Sequence, residues 1–187
     1  MHLLPFVLGL LWLAYIRWYS MFDDREDDLL TVGNILPDFE LENQDGEPVS
    51  SQSLMNKKHI ILFYRGNWCP LCMAQINEIS AMYGELKQKG IETALISPQA
   101  HHKTRRIAKK FGVDFKYLVD KNNRAAKALG ILAKNGLPMG LQAIGYDSDT
   151  VMPTVILTND QGKIIYSDLT ENYRVRPEPE EFLKAFA

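Results

Sequence analysis

Residues 63–72 read FYRGNWCPLC, and they join two segments whose apolar residues follow different patterns. The preceding run HIILFY, over His59 to Tyr64, is continuously apolar, as is typical of a strand buried on both faces of a sheet. The following segment, Gln75 to Lys89, carries its apolar residues at helical spacing. The stretch therefore predicts a buried strand that leads into an amphipathic helix, with Cys69 and Cys72 where the helix begins.

The rest of the chain also alternates between predicted strands and helices. In chain order these are a hairpin turning at Asp45-Gly46, a strand over 91–96, a helix over 102–111, a strand over 115–119, a helix over 123–129, a long loop over 133–149, a closing hairpin over 155–167 and a helix over 177–186. This order predicts an α/β fold in which helices flank a mixed central sheet.

Composition excludes some classes of function. The 187 residues carry a formal net charge of −2, which gives no electrostatic reason to expect a nucleic-acid partner. The chain has two cysteines, too few for a secreted domain held together by disulfides. These two sulfurs must therefore react with each other or with a thiol from another molecule.

The N-terminal segment is apolar. Leu3 to Ile16 reads LLPFVLGLLWLAYI, and Trp18 and Tyr19 are residue types that favour the headgroup region of a bilayer. We therefore predict a membrane-anchor helix over residues 1–20. A cleaved signal peptide, or a hydrophobic helix docked on the domain or on a partner copy, is the alternative.

The predicted anchor precedes an acidic linker over residues 21–29 and a globular domain over residues 30–187. Arg17 and Arg25 follow the apolar segment, and by the positive-inside rule they favour a cytoplasmic location for the domain. A periplasmic location remains open.

The two cysteines occupy a position that suits redox chemistry. A thiol reacts as a thiolate, and the unpaired N–H groups and dipole of a helix N-terminus stabilise that negative charge. Sulfurs at positions i and i+3 of a first turn can close and reopen a disulfide with little backbone movement. Pro70 fits such a turn, because its missing N–H would have no partner there.

Two other interpretations compete with the redox one. Cys69 and Cys72 could form half of a zinc site, completed by His101 and His102. They could also be two thiols packed in the core without a chemical role, although a helix start is a poor place to bury both.

Residues 32 to 187 resemble the peroxiredoxin family in its broad sense, which includes alkyl hydroperoxide reductases and thiol-specific antioxidant proteins. The matching segments are GNILPDFEL (33–41), FYRGNWCPLC (63–72), LISP (95–98), FKYLVD (115–120) and VILTNDQGKI (155–164). The similarity is to the branch with an R-G-x-W-C-P-x-C motif. It implies a thioredoxin fold that reduces peroxides at a thiolate.

The chain departs from the usual family pattern P-x-x-x-T-x-x-C, whose cysteine attacks the peroxide. Arg65 stands in the proline position, Cys69 in the threonine position and Cys72 in the peroxidatic position. The arginine that the family usually has before the late strand is replaced by Pro153. The sequence Met152-Pro153-Thr154 looks like the cis-proline region of thioredoxin, so we expect a cis bond beside the cysteines.

The resemblance leaves the attacking sulfur open. For peroxide reduction we expect Cys72 to form the sulfenic acid and Cys69 to resolve it, with Arg65 stabilising the thiolate and polarising the peroxide. For exchange with protein disulfides, Cys69 would be the exposed attacker. Trp68 could shelter the site as an apolar lid, Thr154 would support it, and Arg65 could instead be a surface charge.

The sequence thus predicts a peroxiredoxin-like enzyme that takes a hydroperoxide as substrate and electrons from an external dithiol such as thioredoxin. No bound metal, flavin or nicotinamide is implied, and a homodimer is possible. The alternatives are a thioredoxin-like reductase of protein disulfides and a non-catalytic redox-sensing or binding domain.

Overall fold

The computed structural model describes residues 3–19, 21, 28–172 and 174–187, with the backbone alone for residues 18 and 19. Its strands are β1 (Glu40–Asn43), β2 (Pro48–Ser50), β3 (Lys58–Phe63), β4 (Ile91–Ser97), β5 (Lys116–Val119), β6 (Leu132–Ala133), β7 (Thr150–Val151), β8 (Thr154–Thr158) and β9 (Ile164–Asp168). Its α-helices are α1 (Leu3–Ala14), α2 (Pro70–Ala81), α3 (Tyr83–Gln88), α4 (His101–Phe111), α5 (Arg124–Ala128) and α6 (Pro179–Ala185).

A seven-stranded mixed sheet forms the centre of the fold, in the order β2-β1-β5-β4-β3-β8-β9. Strands β3, β4 and β5 run parallel to one another, and β8 runs antiparallel to β3. The pair β6 and β7 forms a separate two-stranded sheet. Because β3 and β4 are parallel, the loops that follow them leave from the same edge of the sheet. The predicted mixed sheet with flanking helices is confirmed, and the arrangement is that of a thioredoxin-like α/β fold.

The side chains of β3 alternate between two apolar clusters. Ile60 and Leu62 pack with buried residues of α2, α3, α4 and α6, whereas Ile61 and Phe63 pack with those of α5. A strand covered on both faces needs apolar residues at every position, which explains the uninterrupted run of the sequence. The strand that leads to the cysteines is thus held rigidly between two layers.

The helix after the cysteines differs from the prediction in its bounds. It begins at Pro70, and the residues expected to form one helix to Lys89 are divided at Met82 into α2 and α3. Met82 has φ −89° and ψ 1°, outside the α-helical range, and this residue interrupts the helical hydrogen-bond ladder. The first turn, which carries both cysteines, is unaffected.

The N-terminal segment corrects a prediction. Helix α1 has 12 residues and is therefore about 18 Å long, shorter than the roughly 30 Å of a bilayer's hydrocarbon core. The next five residues, Tyr15–Tyr19, form a π-helix. Within the described parts of the chain, no helix combines the length and the apolar character needed to cross a membrane. The prediction of a transmembrane anchor, and of the membrane face that depended on it, is wrong.

The other N-terminal predictions have different outcomes. Residues 22–27 of the expected acidic linker lie outside the described residues. Leu30 is fully buried in the core, and no residue of α1 is buried, so α1 does not dock on the domain as a packed helix. The domain boundaries and the possible homodimer stay predictions.

Candidate active site

Cys69 and Cys72 lie in the first turn of α2. Cys69 is the N-cap residue, with φ −89° and ψ 107°, and its Sγ accepts a hydrogen bond from the backbone N–H of Cys72 at 3.4 Å. Pro70 occupies the first helical position, as expected. A sulfur at the N-cap replaces the usual hydroxyl or carboxylate oxygen, so a negative charge on Cys69 would be stabilised by the same orphan N–H groups.

Both sulfurs are buried. Cys69 is 3% exposed and Cys72 is 0% exposed, and both belong to the apolar cluster of Ile76 and Phe182. From the sequence, a helix start was expected to be a poor place to bury both thiols. In the structure, apolar residues of β3, α2 and α6 pack with both cysteines and bury them at the start of the helix.

The two sulfurs have opposite acidities. A hydrogen bond from the Cys72 thiol lowers the pKa of Cys69, and the Cys72 N–H and the charge of Arg65 act in the same direction, against the effect of burial. Burial raises the pKa of Cys72 well above its usual range, and the hydrogen bond to Cys69 adds to this shift. The pair is therefore arranged as a Cys69 thiolate that accepts a hydrogen bond from a neutral Cys72 thiol.

Alkylation of the reduced protein should show this asymmetry. The pKa of Cys69 is lowered to about 6, so the thiolate is present above that pH and is protonated below it. We expect the rate of reaction with iodoacetamide to rise with pH around a midpoint near 6, instead of the usual value of about 8.5. The urea-unfolded protein serves as control and should show the usual midpoint. A folded-state midpoint at or above the control would contradict the assignment.

Arg65 is part of the buried site. It is 4% exposed, which rules out the alternative that it is a surface charge. Its guanidinium lies over the ring of Trp68, 4.7 Å from the centroid, and Nη2 donates to the carbonyl oxygen of Gly136. The resulting cation–π contact holds a fixed positive charge beside the cysteine turn.

Trp68 folds back over the loop that precedes the cysteines. A Cβ atom at Gly66 would lie 2.8 Å from Trp68 Nε1, so only glycine leaves room for the indole, and its φ of +144° also favours glycine. The indole Nε1 is buried and has no hydrogen-bond partner among the described residues. Tyr146 meets the ring edge-on, with centroids 6.5 Å apart. Trp68 thus packs against Arg65 and Tyr146 in the loop that precedes the cysteines, and its role as a lid stays a prediction.

The region of Pro153 corrects a second prediction. Within the residues that the structure describes there is no cis peptide bond, so the Met152–Pro153 bond is trans. The trans form is the ordinary one for X–Pro, favoured by about 0.5–1 kcal/mol, and the chain passes directly into β8 from it. Pro153 and Thr154 are buried. Thr154 pairs with Phe63 across the sheet, and its hydroxyl donates to Met152 O at 2.9 Å.

Three further residues hold the loop over 65–68, and the sequence did not reveal them. Gln99 Oε1 accepts from the backbone N–H of Asn67 at 2.9 Å, the Tyr146 hydroxyl donates to Asn67 Oδ1, and the Thr150 hydroxyl donates to Arg65 O at 3.1 Å. For Gln99 there was a signal, since it follows β4, which is parallel to β3. The contacts of Tyr146 and Thr150 had no local signal.

A cavity of about 210 Å³ adjoins this loop. Arg65 and Trp68 line it on one side, and Gln99, Tyr146 and Thr150 line it elsewhere. It is large enough for a small polar molecule, and neither cysteine is among the residues that line it.

The zinc interpretation finds no ligand set. His101 Nε2 lies 2.8 Å from Glu42 Oε2, and His102 is exposed. Among the described residues, the His, Cys, Asp and Glu side chains form no group of three or more that could hold a metal ion.

Comparison with known proteins gives relatives of two kinds. The thiol-disulfide oxidoreductase ResA of Halalkalibacterium halodurans is 27% identical over 154 residues, which are 82% of this chain and 76% of the relative. Peroxiredoxin Bcp of Escherichia coli is 27% identical over 135 residues, 72% of this chain and 83% of the relative. Reduced Prx3 of Vibrio vulnificus, solved in complex with H₂O₂, has the same fold with a TM-score of 0.70 at 16% identity, over 84% of this chain and 99% of that one.

The sequence profile of the AhpC/TSA family matches residues 32–167. This range includes strands β1 to β8, all of β9 except its last residue, and the cysteine turn. The resemblance inferred from the sequence is confirmed, and the chain belongs to the AhpC/TSA family.

Proposed function

We propose that this protein is a thiol-dependent peroxidase that reduces hydroperoxides with Cys69 and Cys72. The observation that carries the proposal is the position of Cys69, whose Sγ caps α2 and accepts the N–H of Cys72, an arrangement that lowers the pKa of the thiol. A thiolate at neutral pH is the nucleophile that a peroxide oxygen requires. The similarity to peroxiredoxin Bcp supports the same chemistry.

In the first step, the Cys69 thiolate attacks one oxygen of R–O–O–H. An S–O bond forms and the O–O bond breaks, so Cys69 becomes a sulfenic acid and an alkoxide leaves. The neutral Cys72 thiol supplies the proton that converts the alkoxide to an alcohol. This order reverses the one that the family pattern suggested, because burial keeps Cys72 protonated and the helix start ionises Cys69.

In the second step, the Cys72 thiolate left by that proton transfer attacks the sulfenic sulfur of Cys69. A disulfide forms and hydroxide leaves, which becomes water on protonation. An external dithiol then reduces the disulfide by thiol exchange and returns both sulfurs to their starting state. A thioredoxin-like protein is the reductant that we expect.

A titration with peroxide tests the proposal. The reduced full chain, freed of dithiol, should consume one equivalent of H₂O₂ and lose both of its thiols as the disulfide forms. Added thioredoxin, thioredoxin reductase and NADPH should make the consumption continuous. A variant with both Cys69→Ser and Cys72→Ser is the control and should consume peroxide only at the background rate. If the wild type matches this control, the proposed function is refuted.

Reduction of protein disulfides is the second candidate, and one observation favours it. The acidic sulfur is the first cysteine of W-C-P-x-C, the order expected for dithiol exchange, and ResA is a relative. Against it, Cys69 is 3% exposed, and a protein disulfide must bring its sulfur into line with Sγ. Rapid reduction of insulin disulfides with no loss of peroxide would establish this alternative.

A further inference from the structure

The buried side chain of Gln99 joins two points of the loop that leads to the cysteines. Gln99 is 3% exposed and lies between the end of β4 at Ser97 and the start of α4 at His101. Its Oε1 accepts from the backbone N–H of Asn67 at 2.9 Å, and its Nε2 donates to the Tyr64 hydroxyl at 2.9 Å. The amide is therefore held in one orientation, because turning it over would place its NH₂ group against the N–H of Asn67.

These two hydrogen bonds hold the chain on both sides of Gly66. Tyr64 directly follows β3, and Asn67 is three residues further on. A Cβ atom on Gly66 would lie 3.6 Å from Gln99 Oε1, so the amide also packs against this glycine. Nε2 donates in addition to Thr104 Oγ1 of α4 at 3.3 Å. One amide thus connects the end of β3, the loop and α4.

A tight turn links Asn67 to Cys69. The backbone N–H of Cys69 donates to the carbonyl oxygen of Gly66 at 3.2 Å, which closes a four-residue turn with Asn67 and Trp68 at its centre. Cys69 is both the last residue of this turn and the N-cap residue of α2. The bond from Asn67 to Gln99 therefore fixes the turn relative to the sheet, and with it the direction from which Cys69 enters the helix.

Building on the proposed function, we propose that Gln99 is a positioning residue for the reaction of Cys69, because its buried amide fixes the turn that holds the Cys69 sulfur at the start of α2. Among the described residues, Gln99 hydrogen-bonds to neither cysteine, so it acts through Asn67 and the turn. An attacking sulfur must lie in line with the O–O bond that it breaks, and a displacement of about 1 Å can cost roughly a hundredfold in rate.

Gln99→Met in the reduced full chain tests the proposal, because methionine has a similar length and removes the acceptor of the Asn67 N–H. We expect the pH midpoint of Cys69 alkylation by iodoacetamide to rise by about one unit from its value near 6, since the sulfur is no longer held at the cap. Single-turnover oxidation by H₂O₂ at pH 7 should slow roughly tenfold. The shifted midpoint alone would roughly halve the amount of thiolate at pH 7, so the remaining loss measures misplacement of the sulfur.

Thr104→Val is the matched control. It removes another hydrogen bond of the same amide and leaves the bond to Asn67 in place. The Cys69 midpoint should stay at the wild-type value, and oxidation should stay within about twofold of the wild type. Circular dichroism and the urea midpoint establish that the variants are folded. If Gln99→Met does not fold, Gln99→Asn takes its place, since its amide is one methylene too short to reach Asn67, and the same rise in midpoint is expected.

A folded Gln99 variant with the wild-type midpoint and oxidation rate overturns the proposal. Equal shifts in the Gln99 variant and in Thr104→Val also overturn it, because loosened packing beside α4 would then explain both. Each of these results leaves the proposed function intact. A wild type that ignores peroxide refutes the proposed function instead. In that case a raised alkylation midpoint in the Gln99 variant alone still supports the positioning of Cys69 by Gln99, since alkylation requires no peroxide.

Discussion

Cys69→Ser is expected to lower the rate of peroxide consumption roughly a thousandfold or more, because it removes the only ionised sulfur of the pair. The serine hydroxyl is not ionised at neutral pH, and Cys72 is buried and protonated. The measurement is the first-turnover rate of H₂O₂ loss, with the reduced full chain in excess over peroxide. No sulfenic acid should form in this variant.

Cys72→Ser is the matched substitution and should behave differently. The first turnover should persist, because Cys69 still caps α2 beside Arg65 and the serine hydroxyl can take the place of the Cys72 thiol as hydrogen-bond donor to its sulfur. The sulfenic acid then has no resolving thiol, so dimedone should label it, and turnover with thioredoxin should stop. Peroxide loss that survives Cys69→Ser and disappears in Cys72→Ser would instead establish Cys72 as the attacking sulfur.

Phe182→Ala should cause the largest loss of stability among single changes near the site, about 3–5 kcal/mol in the free energy of unfolding. Phe182 is fully buried, and its ring meets Tyr166 edge-on with centroids 6.2 Å apart. Truncation leaves a cavity between α6 and α2 that the surrounding elements can only partly close. Urea unfolding followed by tryptophan fluorescence gives the difference.

Phe186→Ala, at the C-terminal end of the same helix, is the control. Phe186 is only partly buried against the same cluster, so the expected loss is about 1 kcal/mol. If the two variants unfold at the same urea concentration, α6 is not packed on α2 as described. Because Phe182 shares its apolar cluster with both cysteines, Phe182→Ala should also slow peroxide reduction at urea concentrations well below unfolding.

The two wrong predictions share one physical cause. The apolar composition of residues 3–16 is compatible with a spanning helix, but composition does not determine the residue at which an α-helix ends. In the structure, α1 ends at Ala14. The sequence Met152-Pro153-Thr154 occurs with either peptide isomer, and the surrounding chain selects one. In both cases a local pattern was compatible with more than one conformation.

The arrangement of the site also depends on distant parts of the chain. Asn67 is held by Gln99, 32 positions away, and by Tyr146, 79 positions away. Arg65 is buried because the chain near Gly136, 71 positions away, returns over it. The order of residue types along the chain does not indicate that these distant residues will meet.

The sequence by itself determined the buried strand, the helix that follows it, the position of both cysteines at the start of that helix and the family. Each of these depends on residue spacing over one or two turns or on a contiguous motif, because backbone hydrogen bonds and side-chain alternation act locally. Only the tertiary structure decided which sulfur is the more acidic and that Arg65 is buried. Acidity depends on burial and on charges brought together from distant segments, and folding alone sets both.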